Sequence, residues 1–127
     1  MLSVGMSRWA VLVALLLLAA CRDGIAGGRA DGPAIFSEVC ARCHGPFGEP
    51  DAANVARLGV KPLTSDNVQR HLTDDDIRRQ ILRGSENKQM PSFAGALSDE
   101  QIAAVIAHVR TLGGRPAAAA ARTSESD

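Results

Sequence analysis

Cys40-Ala41-Arg42-Cys43-His44 puts two thiols three residues apart and an imidazole immediately after the second. This C-x-x-C-H spacing is how a chain attaches a haem covalently and ligates its iron. Two thiols add across the two vinyl groups of one porphyrin edge, and the next histidine is then held beneath the ring. Cys40 and Cys43 therefore read as tethers and His44 as the proximal ligand of one covalently bound haem c. A bare C-x-x-C has two rivals, a thioredoxin-type dithiol and half of a zinc site. The chain has no second cysteine pair, His71 and His108 show no metal-ligand spacing, and no βαβ pattern surrounds the motif.

The N-terminus indicates where this chemistry takes place. Residues 1–20 carry one charge, Arg8, and Trp9 to Ala20 is an unbroken apolar run. That run is too short to span a bilayer core of about 30 Å and fits the apolar region of an export signal. Leu18-Ala19-Ala20-Cys21 closes it and resembles the lipobox of bacterial lipoproteins, a resemblance that implies cleavage before Cys21 and lipidation of its sulfur. An ordinary signal peptide followed by an incidental cysteine is the alternative. Cysteine arithmetic favours the lipoprotein, because it leaves none of the three thiols free in an oxidising compartment.

Without residues 1–20 the chain has 13 Lys plus Arg against 14 Asp plus Glu, since Arg8 is the only charge removed from 14 of each. Such a balance gives no basic face for nucleic acid. What remains is enough for one small domain. It contains no Trp or Tyr and only Phe36, Phe47 and Phe93, so a large apolar cofactor would contribute burial that aromatics usually supply. Residues 21–33, rich in Gly, Asp and Arg, read as a flexible tether. Residues 114–127, with an alanine run and Thr-Ser-Glu-Ser-Asp, read as a disordered tail. The domain proper is expected over 34–113.

Its pattern is helical, with no good period-two strand. Pro33 suits a first turn, Phe36, Val39 and Cys40 recur at helical spacing, and Gly45-Pro46 stops the element. Ser65 to His71 is a short second candidate. Thr73 can cap the amides of Asp75 or Asp76 in a helix with Ile77, Ile81 and Leu82 on its apolar side, Arg78, Arg79 and Arg83 towards its far end, and Gly84 closing it. Ser98-Asp99-Glu100-Gln101 is a capping-box pattern, followed by Ile102, Val105, Ile106, Val109 and Leu112 on one face. An all-α architecture is expected, about four short helices around one haem, with the first and last packed together.

A second axial ligand has few candidates. Met90 is the only methionine after the signal and lies in the polar stretch from Ser85 to Gly95, followed by Pro91. Core filling is the ordinary use of a methionine, but a polar loop explains that poorly. His71 and His108 compete as ligands, and thioether ligation would raise the reduction potential.

Phe36 to Gly45, Ile81-Leu82-Arg83-Gly84 followed by Met90-Pro91-Ser92-Phe93, and Leu97 to Leu112 together resemble the class I monohaem cytochromes c over about residues 34 to 113. That resemblance implies the small cytochrome c fold, haem c with His44 and Met90 as axial ligands, and redox proteins as partners. It also implies a proline carbonyl against the other nitrogen of the proximal imidazole, and Pro62 stands at the matching position, with an ordinary turn residue as the alternative. Where the family has an aromatic in its last helix, this chain has His108. With two strong axial ligands no iron site is left for a substrate, so the expected role is a single-electron carrier and not an enzyme. The expected location is periplasmic, anchored by lipid on Cys21 or else soluble, and the expected state is a monomer or a subunit of a redox complex. A cytochrome subunit dedicated to one dehydrogenase or reductase, and a haem-based sensor whose Met90 dissociates, are the other readings.

Overall fold

In a computed structural model, residues 24–114 are described. The expected export signal, Cys21 and all of the expected tail (114–127) except Gly114 lie outside them. The described residues are all helical apart from loops and one isolated bridge between Ala94 and Leu97. Helix α1 covers residues 32–44 as α-helical Gly32–Ile35, π-helical Phe36–Cys40 and α-helical Ala41–His44. Helix α2 is Ala52–Leu58, Asn67–His71 forms a π-helical turn, α3 is Asp74–Arg83 and α4 is Asp99–Leu112.

Local chemistry accounts for these boundaries. The Asp31 carboxylate accepts from the Ala34 N–H, with Pro33 in the first turn, which satisfies an amide that has no partner within the helix. Thr73 with Asp76, and Ser98 with Gln101, form complete capping boxes at the starts of α3 and α4. Helix α2 was not expected, although its signals are ordinary ones: Asp51 caps the Asn54 N–H and Gly59 closes the element in the left-handed region.

The core joins α1 and α4. Ile35, Phe36 and Ile102 are fully buried, and Val105, Ile106 and Val109 extend the contact along α4, with Ile77 and Ile81 of α3 and Val68 completing it. Each such side chain contributes roughly 1.5–3 kcal/mol of burial. The two long helices cross so closely at Gly32 that a Cβ there would stand 2.2 Å from the Ala104 carbonyl oxygen. No other residue fits at 32 without separating them.

His108 packs edge-on against Phe36, with ring centroids 5.0 Å apart and an interplanar angle of 61°. An imidazole thus fills the place of an aromatic in the helix crossing. Burial pushes its pKa below the ordinary 6.5. The unfolded chain therefore takes up this proton more readily than the folded one, so the contribution of neutral His108 is present above pH 6.5 and is lost as pH falls below it. His108→Phe should flatten this part of the stability profile. Thermal melts on either side of pH 6.5 check it; an unchanged slope in the variant would assign the acid sensitivity elsewhere.

Residues 24–33, expected as part of a flexible tether, are docked. In a short 3-10 segment, Ile25–Gly28, the buried Ala26 and Gly27 take positive φ of 53° and 61°. The Ala26 N–H donates to Glu38 Oε2 at 2.7 Å, and Gln101 Nε2 donates to the Ile25 and Arg29 carbonyls at 3.0 Å each. Composition alone suggested solvation, but two polar side chains of the core helices satisfy this backbone.

Candidate functional site

Cys40, Cys43 and His44 end α1. The π-helical turn Phe36–Cys40, closed by the Ala41 N–H on the Phe36 carbonyl, widens the helix immediately before them. Such a bulge re-aims the side chains that follow it. Cys40 and Cys43 are half-buried free thiols, with no disulfide between them. Burial first, and the neighbouring Cys43 second, push the Cys40 thiol up to about 11. A reactive dithiol of the thioredoxin kind needs the opposite shift. Among the described residues no cluster of three or more His, Cys, Asp or Glu could hold a bare metal ion, so the zinc alternative has no ligand set there.

His44 is half-buried, and burial pushes its pKa below the ordinary 6.5. The ring stays neutral near pH 7, the form that donates a lone pair to a metal. Its Nδ1 is buried without a hydrogen-bond partner. The bond expected from this ring to the Pro62 carbonyl is not made. Pro62 is half-buried, and its carbonyl accepts from the Ser65 N–H at 3.3 Å in the turn leading to Asn67–His71.

Met90 approaches from the other side of the sequence, and its loop is pinned throughout. The Met90 N–H donates to Ser85 Oγ at 2.9 Å and the Met90 carbonyl accepts from the Ser85 N–H at 3.0 Å. Asn87 Oδ1 takes the Ser85 hydroxyl and the Gln89 N–H, and beyond Met90 the Phe93 N–H reaches the Ile81 carbonyl and the Ser92 hydroxyl the Leu82 carbonyl. Gly84 permits this approach: at φ 73°, its missing Cβ would lie 2.5 Å from the Met90 carbonyl oxygen. The thioether is thereby carried on a closed loop anchored to α3, half-buried against the same core that Cys40 borders.

Gln80 was not singled out by the sequence. Its Nε2 donates to the Gly84 carbonyl at 2.9 Å and stands 3.9 Å from Met90 Sδ, so it braces the loop and places a donor beside the sulfur. Its one legible signal is its place four residues before Gly84. The competing histidines are placed elsewhere: His108 is engaged with Phe36, and His71 is exposed at the end of its π-helical turn.

These residues fit a covalent haem. Two unpaired thiols one helical turn apart would supply the tethers, the adjacent His44 imidazole, kept neutral by burial, is free to hold the iron, and Met90 offers a thioether on a pinned loop. Val39, Leu63, Leu82, Phe93 and Leu112 are half-buried against the core, apolar surface that a porphyrin would cover.

Comparison with known proteins agrees. Residues 28–109 match the family model described as cytochrome C oxidase, cbb3-type, subunit III. The chain is 34% identical over 96 residues to the cytochrome c6 of Thermosynechococcus vestitus, covering 74% of this chain and 79% of that protein. It is 36% identical over 87 residues to the cytochrome c6 of Thermostichus vulcanus, covering 67% and 70%, and 37% identical over 82 residues to that of Synechococcus elongatus, covering 63% and 85%. No solved structure matches the chain.

Proposed function

Since the chain belongs to the class I c-type cytochromes, electron carriers with covalent haem c, we propose that it moves single electrons on the periplasmic side of a bacterial membrane, with His44 and Met90 as axial ligands and a lipid on Cys21 as anchor. The observation that carries the ligand set is the Met90 loop, closed on itself by Ser85 and Asn87 and seated on Gly84. A methionine serving only as core filler needs no such frame.

Haem c supplies a one-electron iron couple when bound. Cys40 and Cys43 tether the ring edge, and this thioether side is the proposed exit for the electron. His44 donates from a neutral imidazole, and its second nitrogen is shut away from water. Met90 contributes the thioether, which favours the reduced iron and raises the potential. With both axial positions held by the chain, no substrate reaches the metal, which is why the role is transfer and not catalysis. The expected partners are redox proteins. The proposed cytochrome domain takes in the docked residues 24–33 with 34–113, and residues 1–20 are the proposed signal.

Met90→Ala tests the ligand set. The sulfur-to-iron charge-transfer band of the oxidised protein should vanish, and the potential should fall by a sizeable part of the roughly 0.8 V that axial ligation can span. An unchanged band and potential would remove Met90 from the iron. A second reading, a cytochrome subunit dedicated to one enzyme complex, is favoured by the oxidase-subunit description of the matching family model. Mild detergent extraction separates the two, because a dedicated subunit leaves the membrane with its enzyme and a free carrier leaves alone.

A further inference from the structure

Three peptide steps separate Cys21 from Gly24, and from Gly24 onward the chain belongs to the folded body. The Gly27 N–H closes on the Gly24 carbonyl at 2.9 Å, Ala26 is buried, and the Asp31 carboxylate already caps α1. Glu38 of α1 and Gln101 of α4 hold this segment from two sides, through the Ala26 N–H and the Ile25 and Arg29 carbonyls. These bonds tie it to the two helices that make the core.

We propose that the pole of the domain formed by Ile25–Gly28, Arg29 and the first turn of α4 is a membrane-facing surface, kept at the lipid headgroups by this short leash. The inference rests on the lipidation of Cys21 proposed above. Three steps reach about 10 Å when fully extended, whereas a free tether over residues 21–33 would reach about 40 Å. The difference sets orientation as well as distance, because a body leashed at about 10 Å cannot turn this pole away from the membrane. Its partners are then met at the membrane surface.

Charge does not produce the contact. Asp99 and Glu100 lie in the first turn of α4 beside Gln101, giving the pole acidic side chains and not the basic cluster that holds proteins to anionic headgroups. Proximity imposed by chain length is insensitive to salt, unlike electrostatic adsorption.

The test uses the lipidated holoprotein in phosphatidylcholine vesicles containing nickel-chelating headgroups. A nitroxide is placed on Arg29→Cys, whose native side chain is exposed, and its relaxation enhancement by the nickel is measured. It is compared with the same protein carrying a Gly/Ser insertion of roughly twelve residues between Asp23 and Gly24, which adds about 40 Å of reach. The native leash should give an enhancement several-fold larger than the insertion, equal at low and high salt. Equal enhancement in both proteins, or one abolished by salt, overturns the membrane-facing pole. The mass of the N-terminal peptide is read on the same sample. An unlipidated Cys21 overturns the anchor and this inference together, while a lipidated Cys21 without the difference overturns the leash alone. Amide exchange supplies a check independent of the label: slow exchange at Ala26 is expected, and fast exchange there in a folded holoprotein also overturns the proposal.

Discussion

Cys40→Ser combined with Cys43→Ser should abolish covalent pigment. After export in a host able to mature c-type proteins, the wild-type chain should keep its haem through acidified organic solvent and denaturing electrophoresis, and the double variant should lose it. The effect should extend to folding. The described core has one buried aromatic, Phe36, among aliphatic residues, and Val39, Leu63, Leu82, Phe93 and Leu112, packed against it, stay only partly buried. A domain this small has little stability to spare. The double variant should therefore melt at a much lower temperature or without a cooperative transition. Retention of haem through the solvent step would refute the tether assignment, and unchanged melting would show that the fold does not depend on the attachment.

The second large effect is expected at Arg110, which lies away from the site. Its guanidinium is almost wholly buried, with 5% of the side chain exposed against 34% for its partner Asp74. Nε donates to Asp74 Oδ1 at 2.8 Å, one terminal nitrogen to the Val68 carbonyl at 2.8 Å and the other to the Leu72 carbonyl at 2.7 Å. It thus gathers the carbonyls around the Asn67–His71 turn, where the wide π-helical geometry closes with the Leu72 N–H on the Asn67 carbonyl, and ties them to α4. Arg110→Ala strands those acceptors, and breaking a buried pair of this kind costs roughly 3–5 kcal/mol. Because Asp74 is about a third exposed, solvent screens its share and most of the loss falls on the carbonyls. The melting temperature should drop by more than about 10 °C. Arg110→Lys should recover only part, since an ammonium cannot present the planar fork. A melting point within a degree or two of wild type for Arg110→Ala would show that water replaces the guanidinium without cost.

Much of this molecule is written locally. The Thr73 cap, the Ser98 capping box, the stop at Gly84 and the apolar faces of α3 and α4 were legible because each depends on residues within about one turn of one another. The C-x-x-C-H run is equally local: five consecutive residues carry the haem-attachment cysteines and the proposed proximal ligand, whatever lies around them. Met90, the proposed second ligand, was singled out by elimination, as the only methionine after residue 20. Helix α2 was missed although Asp51 and Gly59 mark it, because Asn54, which donates to the Arg42 carbonyl, is its one buried residue and no apolar stripe announces the element.

Other features belong to contacts between distant parts of the chain. The docking of Ile25–Gly28 depends on Gln101, 76 positions beyond Ile25, and a Gly- and Arg-rich composition cannot show that its backbone groups will find partners. The role of Arg110 is of the same kind, since an arginine at the edge of an apolar stripe reads as a solvated residue until carbonyls some 40 positions earlier surround it. His108, a competing ligand by sequence, takes the aromatic place against Phe36. The resemblance implied a Pro62 carbonyl for the proximal imidazole, with an ordinary turn as the alternative, and that carbonyl accepts from the Ser65 N–H in such a turn. By itself, the sequence determined the helices with strong caps and the chemistry of the covalent site, because spacing along one chain enforces both. Tertiary structure decided which polar groups leave water, since desolvation is a property of everything that surrounds a group and no local pattern encodes it.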